Sequence, residues 1–541
     1  MDTSGNSLFD RQRSGYTREF SMLDVFIFNI LGFSLGLALS SNPAYIGMFV
    51  PHSNILIVIG LGAILAFFNG LVYGWFGAIM PSTGGDYVFV SRSISHRIGF
   101  LTNWGFTFCQ LYGFAANTSW IFAMAIRPSL LAIGFTSPLP ARLTSIIHTS
   151  DLSWLLISLS IALFYYLISL LNMRFSRPLV ILLFLVGISS PILMAYFLAT
   201  HTHGDFVSAF NDFVVKNGGH DSAYETVVNM AKARLANAPK TTVFADSLKG
   251  LPLGFLCFLG FTYSVYAGGE IEKPEKAQIR GILFALLVGL LAFLGCMGLY
   301  AEIVGPEFYG AIGIGEVQTA VGINNAPMNF LTGLLAREHP ILNIIMQVGN
   351  LIWFLLVPYV ILQVCTRNFI AWACDEMFPS WYLKRLPGTN APWAASLMVT
   401  VIGMVFIIIL HYSGVSLVGA AALAAVAYLF TGYAAFRLPK VLPEVYKRAP
   451  RLAKRTVFDI DFSFFQLAGL ISIVGFGYIV YAAVKYPDVA GGDSDMALVM
   501  IAVVYLFGLC VYQWRKNKLK KKHDEFTDFN INDLFKEIPE D

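Results

Sequence analysis

Apolar residues along this chain are gathered into long continuous runs separated by polar stretches, instead of alternating or recurring on one helical face. The runs fall at residues 22–50, 55–80, 98–126, 154–171, 179–200, 250–269, 282–303, 342–370, 393–410, 417–436, 464–484 and 496–512. About 20 such residues cross a bilayer core as a helix, so the pattern predicts an all-α polytopic membrane protein with 12 transmembrane helices. The first run is different. It is too long for one straight span and is broken near mid-depth by Gly32, Ser34 and Gly36, with Ser40 to Pro43 following. Two half-helices joined by unwound backbone are expected there. Lipid cannot satisfy an opened backbone, which must be buried or line a cavity, so residues 32–34 are a candidate binding site. Small residues also let neighbouring helices approach closely, and this run alone does not separate the two readings.

The sixth run repeats the feature. Gly250, Pro252, Gly254, Cys257, Gly260, Thr262 and Ser264 interrupt it about as far along the second group of five runs as Gly32 lies along the first. Two interrupted spans at corresponding positions of two halves point to a transporter site at an inverted-repeat interface. Five is an odd number, so the second copy enters the membrane upside down. The expected fold is a 5+5 inverted repeat with discontinuous helices 1 and 6, spanning 22–200 and 250–436, plus two extra helices in 463–512. Half-helix ends hold charge: free N–H groups suit a carboxylate, and exposed carbonyls suit an ammonium. A zwitterionic amino acid fits both.

Composition agrees, with 56% hydrophobic and only 13% charged residues in 541. The net charge of +3 hides an asymmetry. Three quarters of the 36 lysines and arginines, Arg11, Arg13 and Arg18 among them, fall on the side of the chain ends if the spans alternate. By the positive-inside rule both termini are cytoplasmic, and plasma membrane is the expected location. A segment 1–21 precedes the first span, with no signal-peptide pattern. The polar insertion 201–249 is an extracellular loop, 437–462 a basic cytoplasmic loop, and 513–541 a cytoplasmic tail, acidic and mixed from 524. Cysteines and histidines show neither a disulfide framework nor metal spacing. No span carries the paired acids or Ser/His arrangement of an enzyme, and no cofactor, metal or nucleic-acid partner is expected.

Four motifs then carry a resemblance. Pro81, Gly84, Gly85, Asp86 and Tyr87 form a P-x-x-G-G-x-Y loop after the second run, and Asn29 to Gly32 opens the first break. Glu270, Glu272, Lys273 and Pro274 follow the sixth run; Thr366, Arg367, Asp375 and Pro379 close the eighth. Together these resemble the amino acid–polyamine–organocation (APC) permeases in order and spacing. The resemblance implies the fold first described in a bacterial leucine transporter, working by alternating access. Carried over, Gly32, Phe33 and Ser34 would offer N–H groups to a substrate carboxylate, with Asn29 beside them. Phe258, Leu259 and Gly260 would offer carbonyls to its amine, with Phe258 as an aromatic lid. Tyr112, Asn117, Asn350 and Trp353 are further candidates, each equally open to a packing role.

Two departures from the family pattern narrow the substrate. The usual G-S-G of the first break is Gly32-Phe33-Ser34, so the Phe33 side chain must point away or shrink the pocket. Thr262 stands where exchangers of cationic substrates carry an acid. A cationic side chain without a carboxylate partner is costly in a membrane, which favours a neutral amino acid over arginine or polyamines. The coupling ion, H+ or Na+, stays open. The fifth run has no lysine, whereas Ser189 and Ser190 could give oxygens to sodium. An amino-acid sensor of the same fold, or an amine or polyamine transporter, are the alternative functions. Oligomeric state is not legible.

Overall fold

Every regular element among the described residues is helical; they contain no strand, only isolated bridges. The computed structural model describes residues 14–16, 18–140, 143, 146, 150–171, 173–237, 241–323, 326–413, 420–457, 462–486, 489 and 494–523. Arg11, Arg13, residues 417–419 of the tenth run, 458–461 of the basic loop and the acidic tail 524–541 lie outside them. Among the described residues, ten helices are long and apolar enough to cross a membrane. Leu152, Leu156, Phe164, Leu182, Leu185 and Leu291 stand exposed on them, an apolar surface that lipid covers.

The first run is two helices, α1 (Met22–Gly32) and α2 (Leu35–Phe49). Ser21 starts α1 through a reciprocal capping box with Asp24. The next elements are α3 (Ile55–Ile79), a short buried α4 (Asp86–Ser93) and α5 (His96–Trp120), which passes through a π-helical stretch, Ile121–Ile126, into α6 (Arg127–Thr136). Then come α7 (Asp151–Ser169), α8 (Met173–Gly187) and α9 (Ser189–Thr200), the last two forming one span bent at Ile188.

The insertion 201–249, expected as a polar loop, folds into α10 (His203–Lys216), α11 (Ala223–Asn237) and α12 (Val243–Lys249). Phe206, Phe210 and Phe213 line one face of α10 at i, i+4 and i+7 spacing. They meet Phe308 and Phe330 from a second polar insertion, residues 305–340, with ring centroids 5.4, 4.8 and 5.1 Å apart. That insertion is also helical: α15 (Pro306–Ala311), α16 (Gly315–Ala320) and α17 (Met328–Leu334). The two insertions form one aromatic cap.

The sixth run is not a long helix and is absent from the ten. It gives a stub, α13 (Leu251–Leu256), then turns and two 3-10 segments, Tyr263–Tyr266 and Gly268–Glu270. The stub lies against α3 so closely that a Cβ on Gly254 would stand 2.1 Å from the Val58 carbonyl oxygen. After it run α14 (Pro274–Val304), α18 (Pro340–Cys374), α19 (Trp393–Ser413), α20 (Ala420–Val441), the short α21 (Pro443–Lys447) and α22 (Arg451–Lys454) in the basic loop, and α23 (Phe464–Lys485). The twelfth run lies in α24 (Ser494–His523), which continues through the basic stretch after it and is not one of the ten.

Candidate functional site

The two interruptions touch each other. Gly32 ends α1 with its backbone against Gly260: a Cβ on Gly32 would stand 2.4 Å from the Gly260 carbonyl oxygen. A Cβ on Gly260, whose φ is +110°, would stand 2.5 Å from the Gly32 carbonyl carbon. Neither position accepts a side chain without parting the two segments. Asn29 fastens the crossing from one side. Its Nδ2 donates to Ser264 Oγ at 3.0 Å and its Oδ1 accepts the Ser264 N–H at 2.9 Å. Asn29 is thus consumed in joining the two broken spans and does not line a cavity.

At the first break the chain turns through Phe33 and Ser34. The Phe33 and Ser34 N–H groups donate to the Asn29 and Leu31 carbonyls, both at 3.2 Å. They are used within the chain, so the amides without an intrahelical partner are those of the first turn of α2, from Leu35 onward. Ser34 sits at φ +46°, in the left-handed region, which costs a non-glycine residue about 1–2 kcal/mol. Its hydroxyl faces the Trp353 carbonyl at 3.4 Å, and the Trp353 Nε1 donates to the Gly187 carbonyl at 2.8 Å. Trp353 thereby links the first break, α18 and the bend between α8 and α9. The Phe33 ring points toward α14, against Phe258 and Phe293 at 6.2 and 6.1 Å, and fills the notch at Gly289.

At the second break the backbone makes successive tight turns. The Phe258 carbonyl accepts from Phe261 N–H and the Gly260 carbonyl from Tyr263 N–H, each at 3.1 Å. A carbonyl has two lone pairs, so each keeps capacity for another donor. The Phe258 side chain is fully buried in the Phe33–Phe293 cluster. Thr262 is buried with its Oγ1 3.4 Å from the Tyr428 hydroxyl.

Beside the crossing lies a cavity of about 140 Å³. Of the residues expected from the sequence, Gly32, Phe33, Ser34, Leu259, Tyr112 and Asn117 line it. Asn29, Phe258, Gly260, Thr262, Asn350 and Trp353 do not. Asn350 lies behind α2, accepting from the Ser40 hydroxyl at 2.9 Å. Ser189 donates to the Val186 carbonyl at 2.6 Å, while Ser190 Oγ is buried with no hydrogen-bond partner among the described residues; neither reaches the cavity.

The sequence reading missed Ser41, Asn42, Gln110 and Tyr263, which supply much of the polar lining. Asn42 Nδ2 lies 3.0 Å from Cys257 Sγ, and the Tyr263 hydroxyl donates to Gln110 Oε1. The Gln110 Nε2 is buried without a partner among the described residues. A lone glutamine inside an apolar run was the available signal, because polar side chains at that depth are expensive. Among the described residues, no Asp, Glu, Lys, Arg or His is in the lining.

The two ends of the cavity differ. Tyr45, Tyr112, Ala116 and Trp120 also border a second chamber of about 380 Å³, reaching Trp154 on α7 and His411 on α19. At the other end stand two buried ion pairs. Arg367 on α18 grips Glu270 with both carboxylate oxygens, at 2.6 and 2.8 Å, and Arg92 grips Asp375 at 2.8 and 3.1 Å. The segment before α1 lies over the Glu270–Arg367 pair. Glu19 and Phe20 donate to the Glu270 carbonyl at 2.8 Å, and Tyr16 is sandwiched between Arg367 and Arg385, 5.2 and 3.9 Å from its ring. Burial pushes the Tyr16 hydroxyl up, against the pull of the two arginines.

The family model described as amino acid permease matches residues 24–525, which takes in both breaks, the cavity and both buried ion pairs.

Proposed function

The chain belongs to the amino acid permease family, a family of multi-pass membrane transporters of amino acids, and from that premise we propose that it moves a small neutral amino acid by alternating access. The carrying observation is the cavity at the crossing of the two breaks, with polar but uncharged lining side chains. The substrate carboxylate sits at the first turn of α2, where amides and the positive end of a 15-residue helix converge. The amine takes carbonyls from 256–259, and the Gln110 amide adds a donor. The cavity of about 140 Å³ suits a compact solute. Arginine or a polyamine would bring a cation with no carboxylate to meet it.

The twelve apolar runs form a 5+5 inverted repeat plus two helices, with both chain ends on the cytoplasmic side of the plasma membrane. The conformation then faces outward: the chamber toward Trp154 and His411 is the outer vestibule, and the Glu270–Arg367 plug closes the cytoplasmic side. The test is a thermal-stabilisation screen of all amino acids and common amines, with and without sodium and at two pH values, followed by uptake into proteoliposomes. A neutral amino acid raises the melting temperature and is taken up saturably; Gly260→Val removes both effects. A response confined to polyamines or arginine overturns the substrate assignment, and binding without uptake or exchange makes the protein a sensor.

A further inference from the structure

Five carboxylates are buried among the described residues: Asp24, Asp86, Asp246, Glu270 and Asp375. Three hold an arginine, Asp24 with Arg177 at 2.6 Å, Glu270 with Arg367 at 2.6 Å and Asp375 with Arg92 at 2.8 Å. Asp246 accepts the His52 N–H at 3.0 Å, at the edge of the aromatic cap. Asp86 is unlike the three paired ones. It is 1% exposed, its donors include the Asn103 amide at 2.8 Å and the Tyr73 hydroxyl at 3.4 Å, with the Tyr266 hydroxyl and the Tyr87 N–H also turned to it, and no ion pair reaches it among the described residues.

Its position matters as much as its partners. Asp86 opens α4, directly after a loop stitched to the far side of the second break: Gly84 N–H donates to the Tyr266 carbonyl at 3.1 Å, and Thr83 bridges to Ala267. Through Asn103 the carboxylate reaches Trp372 on α18, whose Nε1 donates to Asn103 Oδ1 at 2.9 Å. Through Tyr73 it reaches Thr431 on α20 at 3.1 Å. The carboxyl group is thereby linked to one broken span and to the helices packed around it.

We propose that Asp86 is a proton-binding site whose protonation is coupled to movement of the second break, so that the driving cation of this transporter is the proton. The inference rests on the transporter reading above. A buried carboxylate with only neutral donors regains little of its lost hydration, whereas the paired ones regain much of theirs through their arginines. Burial pushes the Asp86 carboxyl up from the ordinary 3.8 to about 6, with the Asn103 hydrogen bond pulling the other way. Both forms are therefore reachable, as a group that loads and unloads a proton requires.

The other ionisable groups facing it are phenols: Tyr73 from α3, Tyr266 from the second break, Tyr428 from α20 and Tyr505 from α24. Phenols titrate near pH 10. On α4 itself Arg92 is engaged by Asp375, with His96 beyond it at the start of α5. Displacing Tyr266 and Ala267 from Gly84 and Thr83 would open the carboxyl to water on one side of the membrane, and closure would shut it again. Proton exchange is thereby tied to the conformational cycle.

The test compares wild type with Asp86→Asn in proteoliposomes. A proton gradient should drive accumulation of the labelled amino acid by wild type. Asp86→Asn should lose accumulation but keep the substrate-induced melting shift and counterflow exchange, and Asp86→Glu should restore accumulation. A second readout needs no transport. Because the folded-state value is raised, the native state binds the extra proton, and the stability this gives is lost as pH rises. The melting temperature of wild type relative to Asp86→Asn should fall between pH 3.8 and about 6. Should Asp86→Asn not fold, Asn103→Ala, which removes the donor favouring the anion, should move that fall to higher pH.

Undiminished accumulation by Asp86→Asn, identical melting profiles, or drive by a sodium gradient at fixed pH would each overturn the proposal. If no amino acid binds or moves while the melting difference persists, the transporter reading fails and the protonation site stands.

Discussion

The two breaks solve the same problem in different ways. The first takes two residues, Phe33 and Ser34, and leaves helices of 11 and 15 residues on either side. The second leaves a stub of six residues and then irregular backbone as far as Ile271. A short break between long arms preserves a helix terminus and its dipole, which suits an anion. A long break gives up the dipole and exposes a series of carbonyls, which suits a cation. The difference also shows in how each is held. The first pays in strain at Ser34, whereas the second is propped from outside by Gly32, Asn29 and the Glu270–Arg367 pair.

That contrast can be broken at graded cost. Glu270→Gln leaves the Arg367 guanidinium buried and uncompensated at the end of the second break, and should cost about 3–5 kcal/mol. A large drop in melting temperature is expected, and a small one would mean the pair is not what anchors that break. Gly260→Val combines positive φ with a clash against Gly32 and should cost about 2–3 kcal/mol, while abolishing the substrate-induced melting shift. A retained shift would separate the crossing from the binding cavity.

Asn29→Ala orphans the Ser264 N–H and should cost about 1–3 kcal/mol, with substrate affinity falling less than stability, since Asn29 does not line the cavity. Equal loss of both would return Asn29 to the binding site. Ser34→Gly relieves the left-handed strain at the first break and should raise stability by up to about 1 kcal/mol. A drop of that size would mean the long Ser34–Trp353 contact holds more than its 3.4 Å implies.

Both breaks were legible because glycine and small polar residues interrupt otherwise unbroken apolar runs, and the helices do stop at Gly32 and Leu256. Leu259, Tyr112 and Asn117 were found in the lining of the cavity. Asn350 and Trp353 were not, because which face of a buried helix meets the cavity depends on its rotation, and runs apolar on every face carry no record of it. The same ambiguity hid Asn42 and Tyr263. The helical insertion 203–249 was missed for another reason: its charge drew the reading of a loop, although the Phe206, Phe210, Phe213 stripe was present. Asp86 was read only as part of a turn motif, since its burial comes from α3, α5 and the second break closing around it.

The measurement that tests the account most directly is a cryo-EM map of the protein saturated with the amino acid that stabilises it most. Density is expected beside the Gly32–Gly260 contact, with the carboxylate at the first turn of α2 and the amine toward the carbonyls of 256–259. Density confined to the chamber near Trp154 and His411, with the inner cavity empty at saturation, would contradict it.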